Sequence, residues 1–180
     1  MTEFKILFTG TMGAGKTTAI ASVSETPPVV TDVVNTDASH SKSHTTVGLD
    51  FGQLTLPSGD RVRLFGTPGQ NRFDFLWKIL VKGALGLIIL VDNSRPDPLA
   101  DLRVYLDGFE EELGQLPCVV GVGRLAEHPA PGLDDYLEEM ARHDLVLPVL
   151  EVDVRQRGDV VLLIDTLLTQ LEASLYGAQN

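Results

Sequence analysis

Gly10-Thr11-Met12-Gly13-Ala14-Gly15-Lys16-Thr17 fits the pattern G-x-x-x-x-G-K-[ST] and lies between the β-prone run Phe4 to Thr9 and a helix-compatible stretch, Lys16 to Val23. A strand that stops in glycines and restarts as a helix commits the chain to a βα unit with a tight connection. Glycines at these positions let successive backbone N–H groups turn inward around a diphosphate, at the positive end of the helix dipole. Lys16 is then placed to neutralise the β and γ oxygens. The Thr17 hydroxyl suits Mg²⁺, which keeps several waters and needs only one or two protein oxygens. The bland alternative, a glycine turn with a chance lysine, does not explain why pattern and context coincide. The candidate phosphate-binding residues are Gly10, Met12, Gly13, Ala14, Gly15, Lys16, Thr17 and Thr18, with Thr17 also a candidate metal ligand.

Beyond this unit, Gly86 to Val91, Cys118 to Val122 and Leu145 to Val152 are continuous apolar runs, as expected of parallel strands covered on both faces. Between and after them, Leu99, Leu102, Leu106, Phe109 and Leu113, then Leu133, Leu137 and Met140, then Ile164, Leu167, Leu168, Leu171 and Leu175 recur at helical spacing. Leu49 to Leu56 and Arg61 to Phe65 flank the turn cluster Pro57-Ser58-Gly59-Asp60, which suits an antiparallel hairpin. Ser24 to Thr45, rich in Ser, Thr, Asp and Pro, reads as a long mobile loop. The expected fold is a three-layer α/β sandwich of the phosphate-loop NTPase type, with a mostly parallel six-stranded sheet, one antiparallel strand and right-handed crossovers. Residues 1–180 are expected to form one domain.

Charge limits the partners. A net charge of −11 makes the molecule as a whole repel nucleic acid and anionic membrane, so any phosphate must be held by local geometry. No apolar stretch approaches the length of a membrane span, Met1-Thr2 lacks a myristoylation glycine, and the final residues lack a prenylatable cysteine. The expectation is a cytoplasmic protein without a lipid anchor. Cys118, the one cysteine, sits in an apolar run and is expected to be a buried thiol.

Two further segments carry a resemblance. Thr46-Val47-Gly48-Leu49-Asp50-Phe51 resembles the first switch of small Ras-like GTPases, T-I-G-V-D-F in many Rab members, and Gly66-Thr67-Pro68-Gly69-Gln70 resembles the second, usually D-T-A-G-Q. Order and spacing match over nearly the whole chain, and the T-P-G-Q form resembles prokaryotic MglA-like members. The resemblance implies a GTP-binding switch with Mg²⁺ as cofactor, slow hydrolysis, and regulatory and effector proteins that bind the two switch loops. It implies that Thr46 closes on the metal and the γ-phosphate, that the Gly69 N–H contacts that phosphate, and that Gln70 orients the attacking water. Lys16, Thr46 and Gln70 are thus the candidate catalytic residues, and Thr17 and Thr46 the candidate metal ligands.

The departures are specific. Gly66 stands where the family has a metal-supporting Asp, and Asp50, Asp92 or a water remain open as substitutes. The guanine-reading N-K-x-D segment is replaced by Gly123-Arg124-Leu125-Ala126, with Glu127 one place late. Arg124 is left to cover the base by stacking. Asp153-Val154-Arg155 corresponds loosely to the late S-A-K segment and makes Val154 a candidate base contact. Selectivity between guanine and adenine stays open, with GTP favoured over ATP by the resemblance.

Weaker signals point elsewhere. His40 and His44 lack a third ligand at metal-site spacing and read as solvated side chains. Trp77, with Phe73, Phe75 and Leu76, reads as core packing or in part as a partner-binding patch. Two rival functions stand beside the switch. One is a small-molecule kinase using ATP, against which Arg95, Arg103 and Arg142 are too scattered to form a lid. The other is a non-catalytic nucleotide-responsive adaptor, motivated by Gly66 and the altered base segment.

Overall fold

The structure, a computed structural model, describes residues 2–27, 29–34, 46–69 and 74–177. The elements run β1 (Glu3–Gly10), α1 (Lys16–Val23), β2 (Val29–Val34), β3 (Thr46–Thr55), β4 (Arg61–Gly66), α2 (Asp74–Leu80), β5 (Gly86–Asp92), α3 (Pro98–Gly108), α4 (Glu110–Leu113), β6 (Cys118–Gly123), α5 (Leu133–Ala141), β7 (Val149–Glu151) and α6 (Arg157–Gly177). Among the described residues these form one sheet in the order β2-β3-β4-β1-β5-β6-β7.

Strand β3 runs antiparallel to both β2 and β4, and every other pairing is parallel. The expected α/β sandwich with one antiparallel strand is present. One correction concerns the first connection: Val29–Val34, read from composition as part of a loop, forms the edge strand β2 and raises the strand number from six to seven. It pairs with β3, Val29 opposite Phe51 and Val34 opposite Thr46, and five of its six residues, Val29, Val30, Thr31, Val33 and Val34, are β-branched, a strand signal masked by the Ser, Thr, Asp and Pro around it. Residues 35–45, which hold His40 and His44, lie outside the described residues.

The apolar strands serve two cores. On β5, Leu87, Ile89 and Val91 face a cluster with Trp77, Tyr105, Phe109 and Tyr136, while Ile88 and Leu90 face one with Ile20, Val160 and Leu163. Successive side chains on a strand point to opposite faces, so a strand between two helix layers must be apolar at every position. Helices α1 and α6 thereby cover one face, and α2, α3 and α5 the other. Cys118 is fully buried, and burial raises its thiol pKa. The last sheet strand is shorter than expected, since Val146 is 97% exposed and β7 begins only after Pro148, which has no N–H to give to a ladder. The apolar stripe Leu99 to Leu113 is likewise split, with Phe109 (φ −115°) ending α3 and starting α4.

Candidate functional site

The turn between β1 and α1 is a cup. Gly13 and Gly15 have φ of +81° and +99°, which non-glycine residues rarely adopt. Gly15 caps α1, and no side chain caps that end, so the first N–H groups of the helix are not taken by a capping side chain. Lys16 folds back across the loop. Its Nζ donates to the carbonyl oxygens of Gly10 at 2.6 Å and Thr11 at 2.7 Å. An ammonium has three protons, and these two bonds leave one for a ligand. The side chain is 7% exposed, and burial lowers its pKa to about 8 although Asp50 acts in the opposite direction. A cation desolvated in this way gains most from an anion. The Thr11 hydroxyl is also buried, without a hydrogen-bond partner among the described residues.

A cavity of about 570 Å³ opens beside the loop at the carboxyl ends of the parallel strands, where ligands bind in open α/β sheets. Gly13, Ala14, Gly15 and Thr18 line it together with Asp92, Arg124, Ala126, Glu127, Asp153 and Val154. Val154 packs over Gly15, so tightly that a Cβ on Gly15 would lie 2.7 Å from its methyl. Arg124, at φ +61°, donates from Nη1 to Asp92 Oδ2 at 3.1 Å and to Ser94 Oγ at 3.0 Å, so the residue expected to stack on a base is also braced at the wall. Arg155 forms a two-pronged pair with Asp153, whose pKa falls to about 2 because of those bonds.

Asn93, Tyr136 and Thr67, to which sequence reasoning assigned no role, hold the site's edges beside the expected Gly69 and Met12. Buried Asn93, at the end of β5, donates to the carbonyl oxygens of His128 and Pro131 and accepts from the Tyr136 hydroxyl, pinning the segment that walls the cavity. On the other side, Thr67 is fastened to β1 by its N–H to the Phe8 carbonyl (2.8 Å) and by its hydroxyl to that of Thr9 (2.7 Å). Gly69 sits against the phosphate loop, where a Cβ would lie 2.5 Å from the Met12 nitrogen. Met12 itself is exposed at the lip, outside the cavity lining. An isolated Asn, Thr or Tyr gives no sequence signal for such roles.

Thr17 lies apart from the cavity lining, and its hydroxyl donates to Asp50 Oδ2 at 2.6 Å. A threonine oxygen and an adjacent carboxylate form a hard-oxygen donor set of the kind Mg²⁺ uses together with phosphate oxygens and water. The described residues contain no group of three or more His, Cys, Asp or Glu side chains placed for a metal. Thr46 opens β3 opposite Val34, and Gln70 and Phe73 lie outside the described residues.

Strand order, glycine cup and cavity together define an α/β fold of the phosphate-loop GTPase type. The chain has distant homology to Rab- and Ras-related small GTPases. It is 30% identical to Ras-related protein Rab-8A of Gallus gallus over 111 residues, 60% of this chain and 48% of that protein. Over 179 residues, 96% of this chain and 85% of that protein, it is 22% identical to Ras-related protein RabC of Dictyostelium discoideum. The chain thus spans about half the length of the Rab-8A relatives it matches and most of RabC. No family model matches it. Among the described residues, no helix is long and apolar enough to cross a membrane.

Proposed function

We propose that the protein is a cytoplasmic guanine-nucleotide switch, similar in its second-switch motif to MglA-like members, that binds Mg·GTP, hydrolyses it slowly and is stimulated by a partner. The observation that carries this reading is the desolvated Lys16 ammonium, bridged to Gly10 and Thr11 beside a cavity of nucleotide size. The loop's N–H groups and Lys16 bind the β and γ oxygens. The cavity between Arg124 and Val154 accepts the base. When bound with the nucleotide, Mg²⁺ supplies positive charge to those same oxygens, held by Thr17 and Thr46. Gly69 donates its N–H to the γ-phosphate, and Gln70 orients water for in-line attack. Effector and regulatory proteins read the two segments that meet the γ-phosphate.

Calorimetry of nucleotide-free protein against GDP, GTP, ADP and ATP tests this. Tight GDP and GTP binding is expected, with adenine nucleotides weaker. A kinase reading is disfavoured because Arg95 pairs with Asp101, Arg103 and Arg142 pair with Glu139, and none of the three lines the cavity. The adaptor reading keeps two observations in its favour, the absent carboxylate at Gly66 and the altered base segment Gly123-Arg124-Leu125-Ala126. Tight GTP binding with no hydrolysis after prolonged incubation with Mg²⁺ would favour the adaptor.

A further inference from the structure

Asp50 and Gly66 are direct partners across the β3–β4 ladder. Residues paired in this way project to the same face of a sheet. Around Gly66 that face is occupied: a Cβ built there would lie 3.0 Å from the Asp50 Cβ, 3.1 Å from Asp50 Oδ2 and 3.3 Å from the Ile20 Cδ1. A side chain at position 66 would crowd Asp50, which fills the space between these strands.

Asp50 also has a defined task there. A hydroxyl has one proton and two lone pairs. The bond from Thr17 Oγ1 to Asp50 Oδ2, at 2.6 Å, consumes the proton and fixes the rotor, leaving the lone pairs for a cation. The acceptor charge makes the threonine oxygen a better donor to that cation, and the carboxylate's second oxygen is not used by that bond. Asp92, the other carboxylate considered, is engaged elsewhere, accepting from Ser94 and Arg124 at the cavity wall.

We infer that Asp50 is the metal-positioning carboxylate of this site, supplied from β3, and that position 66 is glycine because the paired strand already delivers that group. This rests on the proposed nucleotide-binding function and deepens it. The two positions then form an exchangeable pair, one acidic and one small, and the carboxylate can be moved from one strand to the other.

The test is the release of a fluorescent GDP analogue as a function of free Mg²⁺, with folding followed by circular dichroism. Asp50→Ala is expected to release nucleotide at the wild-type rate in EDTA, but to need about tenfold or more Mg²⁺ for half-maximal retention, the loss typical of removing a group that orients a metal ligand. The double variant Asp50→Gly/Gly66→Asp, which also removes the Cβ that would lie 3.0 Å from the new one, is expected to return the Mg²⁺ midpoint toward wild type. Should Asp50→Ala unfold, Asp50→Asn retains an acceptor for Thr17 without the charge, and the same rise in midpoint is expected. An unchanged midpoint in folded Asp50→Ala or Asp50→Asn, in a protein whose wild type retains nucleotide, overturns the inference and leaves the proposed function standing. So does a folded double variant with no recovery. A wild type that retains no guanine nucleotide overturns both.

Discussion

The indole N–H of Trp77 donates to the carbonyl oxygen of Pro68 at 3.2 Å, tying the second-switch segment to the main core. The ring is buried and stacks on Tyr105 and Phe109, with centroids 4.8 and 5.5 Å away. Of the two sequence-based readings of this tryptophan, core packing holds, whereas Phe75 beside it is 54% exposed.

Trp77→Phe should keep the stacking and lose the tether, costing roughly 0.5–1.5 kcal/mol in a urea melt, the net worth of one hydrogen bond. Trp77→Ala should cost about 3–5 kcal/mol, because a cavity opens between α2 and α3. Equal destabilisation by the two variants would show that the hydrogen bond, not the ring, carries the effect.

The burial of Lys16 makes nucleotide binding depend on pH. Its pKa is about 8 in the free protein and 10.5 when unperturbed, so between those values the unfolded state binds more protons. Through that window the lysine's contribution to folding stability rises with pH. Phosphate favours the charged form, so binding above pH 8 takes up a proton and affinity falls as pH rises, while below pH 8 this group adds no dependence. Calorimetry of GDP binding at pH 9 in buffers of different ionisation enthalpy should report proton uptake. Lys16→Met should lose that uptake together with tight binding.

Gln70→Leu should leave GDP and GTP affinity intact and slow single-turnover hydrolysis on the order of 10²-fold, since the proposed interaction is made only in the transition state. Hydrolysis at the wild-type rate would remove Gln70 from the mechanism.

Ala126 lines the cavity beside Arg124 and Glu127, at the place where the resemblance expects a purine-reading carboxylate. Ala126→Asp should tighten GDP relative to ADP by at most about 1–3 kcal/mol, the value of a buried polar partner. A shift toward ADP in a competition titration would mean that Glu127, one place later, faces the base instead.

The sequence by itself determined the parts of this protein whose physics is local. Glycines that must adopt positive φ, a lysine at a fixed offset and strands apolar at every position are short-range consequences of backbone sterics and burial on two faces. They were sufficient for the phosphate cup, the sandwich and the antiparallel β3. What depends on non-local pairing was decided by the tertiary structure. The β-branched run Val29–Val34 is local in its propensity but takes its place as an edge strand from its ladder with β3, and Asn93 became a brace only because the segment at His128 and Pro131 returns to it. Sequence left Asp50, Asp92 and water equivalent as replacements for the carboxylate missing at Gly66. The register of β3 on β4 sets Asp50 opposite Gly66 and within 2.6 Å of Thr17, while Arg124 and Ser94 engage Asp92, because which carboxylate reaches a hydroxyl is settled by which backbones are packed together.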